Sequence, residues 1–211
     1  MPSPLLPPLS SPHPAGLWAD GPALDTGAWR DALRQAMQQL GDAQASTGHL
    51  RPAAMCQALT EAARALAGLH AYSAAESHLA QAQHWAALMG GHDLLADLHC
   101  AWAEVATNAA DANQAQGEPA ASRAARDRAR DQAFEAARAA GLCSDPNWEI
   151  RVLLRSSDVL DRCGDHDDAV QLQQRALALM GLGLPNWPVD DLQGAAPAMD
   201  NAPMTAPGAL M

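Results

Sequence analysis

Two stretches of the chain share one spacing of small residues, and this spacing restricts the folds open to it. In both, a short polar turn leads to an alanine, and a second alanine follows seven residues later. The pairs are Ala75 with Ala82 and Ala169 with Ala176. Because seven residues span two helical turns, each pair marks a helix face that a neighbouring helix can approach closely. Internal similarity of this kind favours stacked helical hairpins over a single closed globule.

The composition favours an all-α chain. The 211 residues include one Tyr, one Phe and no Lys, while alanine is abundant. Alanine has the highest intrinsic helix propensity, and residues that favour strands are scarce. We therefore predict one α-helical domain over residues 25–180, with a proline-rich disordered tail at 1–24 and a second disordered tail at 181–211. The alanine and arginine usage is typical of a bacterial protein from a GC-rich genome.

The charge balance restricts the partners. The formal net charge is −11, which repels phosphate backbones and predicts that nucleic acid is not a partner. The absence of lysine excludes a Schiff-base lysine and a phosphate-loop lysine. Neither a segment long and apolar enough to span a bilayer nor a basic, uninterrupted signal peptide is evident, so we expect no membrane association and a cytoplasmic location.

The sequence predicts no catalytic, cofactor or metal site. The cysteines are Cys56, Cys100, Cys143 and Cys163. They are widely spaced without a CxxC pair, so we interpret them as reduced thiols. His92, His99 and Cys100 do not share one helix face, which disfavours a common metal. The acidic stretch 164–168 and the arginines of 123–130 are interpreted as a helix-joining turn and as a charged helix face.

Apolar periodicity predicts the helices. Trp29, Leu33, Met37 and Leu40 form one stripe of a first helix over residues 25–44. A hairpin follows, in which Ser73 is placed to cap the return helix. The next hairpin begins near residue 93, and its segment 108–117 either continues a helix or forms a long loop. In the last hairpin, Asp145 and Pro146 form a strong helix start, and the closing helix carries Ala169, Leu172, Ala176, Leu177 and Met180.

These hairpins resemble tetratricopeptide repeats, a family in which small residues lie where two antiparallel helices cross and a glycine-acid turn joins them. The last hairpin matches through Leu153, Ser156, Ser157, Leu160, Gly164, Ala169 and Ala176. The first matches through Leu59, Ala62, Ala63, Leu66, Ala75, Leu79 and Ala82. The middle hairpin matches in two halves that are too far apart, which implies an insertion around residues 106–123.

The resemblance implies an α-solenoid of three hairpins with the first helix as a cap, and a groove lined by the first helix of each hairpin. The residues it places in this partner-binding groove are Gln57, Glu61, Arg64, Asp93, Asp97, Glu104, Arg151, Arg155, Asp158 and Arg162. Arg151, Arg155 and Arg162 share one helix face. They either grip a carboxylate of an acidic or C-terminal peptide or form a solvated face with local Arg–Asp pairs.

The tryptophans fall into two groups. Trp29, Trp85, Trp102 and Trp148 lie in helical stripes and are predicted to fill the core between alanines. Trp18 and Trp187 lie in the two tails. The segment around Trp187 either packs back on the end of the solenoid or docks on another protein.

Together these patterns predict a non-catalytic protein-protein interaction module, an adaptor that binds a protein or peptide partner without a cofactor. Two alternatives stay open: a secretion chaperone built from such repeats, and a small-molecule-sensing helical-repeat regulator. A thin alanine solenoid also gains stability by dimerising, so a homodimer is a further hypothesis.

Overall fold

The computed structural model describes residues 26–182, and within this range the chain forms seven α-helices and no strand. The helices are α1 (Thr26–Ala45), α2 (Arg51–Gly68), α3 (Tyr72–Met89), α4 (His92–Ala115), α5 (Pro119–Ala140), α6 (Pro146–Cys163) and α7 (His166–Leu179). The predicted all-α class is confirmed. The N-terminal tail predicted at 1–24 lies outside the described residues, as does residue 183 onward of the C-terminal tail.

The helices pack in chain order, with a second set of contacts between alternate helices. Each helix contacts the next one along the chain, and in addition α2 contacts α4 and α4 contacts α6. We call α2, α4 and α6 the first helices, because each opens a helix pair that α3, α5 or α7 completes. The first helices therefore form one continuous layer, and the surface of this layer is called the first-helix surface below.

Local sequence sets the helix ends, with one prediction overturned. The Asp145 carboxylate accepts a hydrogen bond from the Asn147 backbone N–H at 2.9 Å, and Pro146 occupies the first turn, as predicted. Gly164 ends α6 with a φ of 93°. The prediction that Ser73 caps α3 is wrong: α3 already begins at Tyr72, one residue earlier, so the Ser73 side chain lies inside the first turn.

The middle helix pair is longer than its neighbours. Helix α4 has 24 residues and α5 has 22, against 18 for α2, α3 and α6. Residues 108–115 continue α4, and a short turn at 116–118, with Gly117 at φ 77°, leads directly into α5. The extra residues predicted between the two halves of the middle pair therefore form additional helical turns, at the end of α4 and at the start of α5.

Alanine dominates the buried positions, and two predicted stripes are corrected. In α1 the buried face runs through Ala36, Leu40 and Ala43, whereas Met37 is 47% exposed because it lies beside the face that α1 turns to the core. In α7 the buried residues are Ala169, Leu172 and Ala176. Leu177 and Met180 are exposed, since no later helix of the described range packs on that side of α7.

The four helical tryptophans are half-buried at the margins of the core. Trp85 and Trp102 pack against the cluster that contains Leu59 and Leu79, and Trp148 packs against a smaller cluster. Trp29 lies so close to Gly68 that a Cβ on that glycine would fall 2.3 Å from the indole ring. Trp18 and Trp187 lie outside the described residues. None of the helices in the described range is long and apolar enough to cross a bilayer.

Candidate partner-binding surface

Two acidic residues of α4 form the centre of the first-helix surface. Asp97 and Glu104 lie seven residues apart, which places both on one side of the helix. Only 15% of the Asp97 side-chain surface and 10% of that of Glu104 is exposed to solvent. Burying carboxylates to this extent requires positive partners, because an unpaired buried charge is strongly destabilising. Those partners come from the two neighbouring helices of the layer.

Arg64 of α2 is the most buried of the partners, with 6% of its side chain exposed. Its guanidinium donates from Nη2 to Oδ1 of Asp97 at 2.8 Å and from Nε to Oε2 of Glu104 at 3.1 Å. A third carboxylate, that of Glu61, accepts from Nη1 at 2.8 Å. Nη2 also reaches the Asp97 backbone carbonyl at 3.2 Å. Every guanidinium nitrogen of Arg64 is therefore engaged.

Arg155 of α6 approaches the same two carboxylates from the other side. It donates from Nη1 to Oδ1 of Asp97 at 3.0 Å and from Nε to Oε1 of Glu104 at 2.7 Å. About a quarter of its side chain is exposed. The ion pairs of these residues link three helices, and we call the set Glu61, Arg64, Asp97, Glu104 and Arg155 the charge network.

The charge network perturbs the ionisation of its members. Burial by itself would raise the pKa of Asp97, but the guanidinium groups of Arg64 and Arg155 outweigh it and hold that pKa well below its usual range. For Arg64, burial lowers the pKa, while Asp97, Glu104 and Glu61 raise it well above the ordinary value. The charged forms of Asp97 and Arg64 therefore stabilise each other.

The remaining residues predicted for the groove lie outside this network. Arg162 donates to Asp111 Oδ2 at 2.7 Å and to Asn108 Oδ1 at 2.9 Å, and this pair is largely exposed. Arg151 is exposed and places its guanidinium carbon 4.5 Å from the centre of the Trp148 ring. Asp93 and Asp158 are exposed, and Gln57 is half-buried. The three arginines predicted to grip one carboxylate therefore have three different surroundings.

The arginine-rich part of α5 forms ion pairs. Arg130 donates to Asp165 at 2.6 Å, tying α5 to the turn before α7. Arg128 lies 3.8 Å from Glu76, and Arg126 lies 3.9 Å from Asp111. Within the described residues, no group of three or more His, Cys, Asp or Glu side chains is arranged to hold a metal ion. Within the stretch 164–168, residues 164–165 form the turn as predicted, whereas residues 166–168 already belong to the first turn of α7.

The sequence did not predict a cavity of about 470 Å³, which lies at the ends of the helix pairs where α4 and α6 begin. Two loops form it, the one between α3 and α4 and the one between α5 and α6. The lining residues are His92, Asp93, Leu142, Cys143, Ser144, Asp145 and Trp148. The available signals were Leu142 in the second loop and Leu88 in the last turn of α3, but which loops meet depends on how the helices stack.

In comparisons with known proteins, no protein-family model matches the chain, and neither a curated protein nor a solved structure does.

Proposed function

We propose that this protein is a non-catalytic interaction module, built as a tetratricopeptide-like α-solenoid, that binds a partner polypeptide across its first-helix surface. The observation that carries the proposal is the continuity of that surface. Helices α2, α4 and α6 contact in succession, and their charged side chains meet on one side of the layer. An extended chain lying across the three helices would contact all of them.

The charge network supports this role by fixing the surface before a partner arrives. Because Asp97 accepts from guanidiniums of both neighbouring helices, the three first helices are joined through side chains. A surface that is already ordered loses less conformational entropy on binding. In this proposal the network residues fix the shape of the surface, and the exposed residues beside them contact the partner.

The exposed groups on α6 define the contact chemistry. Arg151 is exposed and stacked on Trp148, while Arg162 donates to Asp111 and Asn108 in an exposed contact. Exposed ion pairs contribute at most about 1 kcal/mol, so a partner carboxylate can replace Asp111. With Arg151 and Arg162 exposed on α6, this face would accept a polypeptide that carries acidic side chains.

Site-specific photo-crosslinking tests the proposal. A benzophenone amino acid is placed at Arg151 and, separately, at Asp158, and the matched control carries it at Arg123, an exposed arginine on α5. After irradiation in the native lysate, we expect polypeptide adducts from the two α6 positions and none from the control. Adducts at all three positions, or none at the α6 positions, would contradict binding at this surface. If the adduct is a secreted protein, the module is a secretion chaperone.

A further inference from the structure

The edge that carries the cavity also exposes an unusual share of the large apolar side chains. We call it the loop edge: the loops between α1 and α2, between α3 and α4 and between α5 and α6, together with the last turn of α3 and the end of α7. Its exposed leucines are Leu50 (56%), Leu88 (60%), Leu142 (57%) and Leu182 (70%). Scattered exposed leucines are ordinary, but four at one edge form a candidate contact surface.

A buried polar atom without a partner lies at the same edge. Trp148 lines the cavity, and its indole Nε1 is buried but finds no hydrogen-bond acceptor among the described residues. Buried indole N–H groups normally have an acceptor. The unmatched donor marks this edge as incompletely satisfied by the described residues.

The C-terminal part of the chain leaves the structure beside this cavity. In α7, Arg175 donates to Glu149 Oε1 at 2.5 Å, and Nη2 of Arg175 lies 2.7 Å from the position of a Cβ on Gly141. The second half of α7 therefore runs alongside the loop that carries Leu142 and Cys143. Leu182 is the last described residue. Trp187 lies five residues further along, at most roughly 17 Å away in extended chain.

The sequence that follows has matching chemistry. Residues 183–192 read Gly-Leu-Pro-Asn-Trp-Pro-Val-Asp-Asp-Leu, with apolar side chains first and two carboxylates afterwards. Asp93 and Asp145 would repel carboxylates from the cavity itself, whereas the exposed guanidinium of Arg151 lies at its rim, over Trp148. A cavity of about 470 Å³ falls within the range of roughly 300–1,000 Å³ that accommodates compact ligands.

We propose that residues 184–189 of the same chain occupy this cavity, with Trp187 against Leu142 and Trp148 and with Asp190 and Asp191 beside Arg151. The loop edge is then a binding site for the chain's own C-terminal segment. This inference uses none of the charge network, but it shares Arg151 and Trp148 with the surface proposed for a partner. The two proposals are tested separately, because the alkylation of Cys143 reports on the cavity and photo-crosslinking at Asp158 reports on partner binding.

The rate at which Cys143 is alkylated reports on the cavity. Cys143 is half-buried and lines it, while Cys163 is half-buried beside the turn between α6 and α7, far from the loop edge. The full-length chain is treated briefly with N-ethylmaleimide, and both sites are quantified by peptide mass spectrometry. The variants are Trp187→Ala and, as a matched control, Trp18→Ala, which removes the other tryptophan outside the described residues. Leu184→Ala is the second test variant.

We expect alkylation of Cys143 to become several-fold faster in Trp187→Ala and Leu184→Ala and to stay unchanged in Trp18→Ala, with Cys163 constant throughout. The slow rate in the wild type should not depend on protein concentration. Equal Cys143 rates in all four proteins would overturn the proposal. So would protection that grows with concentration, since a second copy would then supply the covering segment.

Discussion

Arg64 and Arg155 donate to the same carboxylate oxygen, Oδ1 of Asp97, at 2.8 and 3.0 Å. The two guanidiniums come from α2 and α6, so one side chain of α4 joins all three first helices. Like charges this close repel each other strongly when they are shielded from water. Asp97 and Glu104, which each bind both arginines, compensate that repulsion. The position of α2 relative to α6 therefore depends on these two carboxylates.

Replacing Asp97 by Asn tests that dependence. The substitution keeps the size of the side chain but removes its negative charge. Arg64 and Arg155 then remain close together, with only Glu104 pairing with both of them. Removing one partner of a buried ion pair costs about 3–5 kcal/mol, and we expect Asp97→Asn to lower the free energy of unfolding in urea by about 3 kcal/mol. Asp31→Asn is the matched control, because its pair with Arg34 is exposed and should change stability by less than about 1 kcal/mol. Equal effects would show that the network contributes no more than a surface pair.

Acid should weaken the fold through the same residue. Its two arginine partners outweigh burial and hold the pKa of Asp97 far below the value of about 3.9 in an unfolded chain. An aspartate with a depressed folded pKa contributes stability above the unfolded pKa and loses it as the pH falls toward the folded pKa. We expect the free energy of unfolding to fall from about pH 4.5 downward, more steeply in the wild type than in Asp97→Asn. Parallel pH profiles for the two proteins would contradict this assignment.

The sequence placed the right residues near each other but could not tell what they bind. Glu61, Arg64, Asp97, Glu104 and Arg155 were all predicted for one groove by their positions in the first helices. That they pair with one another depends on the distance between α2, α4 and α6, which no local pattern encodes. The same reason explains why the cavity beside Trp148 was missed, since its walls come from loops far apart in the chain.

Local signals predicted the helices well and their exposed faces less well. The start of α6 at Pro146 follows from a cap and a first-turn proline, both of which act within one turn. Met37 was placed in the core because it fits the periodicity as well as Ala36 does, and only the approach of α2 decides between them. Leu177 was placed there too, yet in the described range it lies on the uncovered side of the final helix.

Replacing glycine by alanine should raise the stability of the protein at one position of the first two helices and lower it at another. Gly41 lies inside α1, and no atom lies within 4 Å of the place a Cβ would take, so Gly41→Ala should raise stability by about 0.5–1 kcal/mol through helix propensity. At Gly68, the new Cβ would lie 2.3 Å from the Trp29 ring, and relieving this overlap should lower stability by about 1–3 kcal/mol. Thermal unfolding of both variants measures the difference. Trp29→Leu removes the ring, so in that background Gly68→Ala should lower stability by less than it does in the wild type. An equal loss of stability in both backgrounds would show that the strain does not come from Trp29.

The buried thiols should be far less reactive than the half-buried ones. Burial, assisted by Asp97, raises the pKa of Cys56 to about 11, and burial raises that of Cys100 to about 11 as well. Relative to a thiol at the ordinary pKa of 9.0, this lowers the thiolate fraction at neutral pH by about 100-fold, in addition to the shielding by the fold. We expect iodoacetamide at pH 7.5 to modify Cys163 first, to modify Cys143 more slowly while the C-terminal segment covers it, and to reach Cys56 and Cys100 only in urea. Rapid modification of Cys100 in the native protein would mean that α4 and α6 separate readily, because its thiol lies between Val152 and Ser156 of α6.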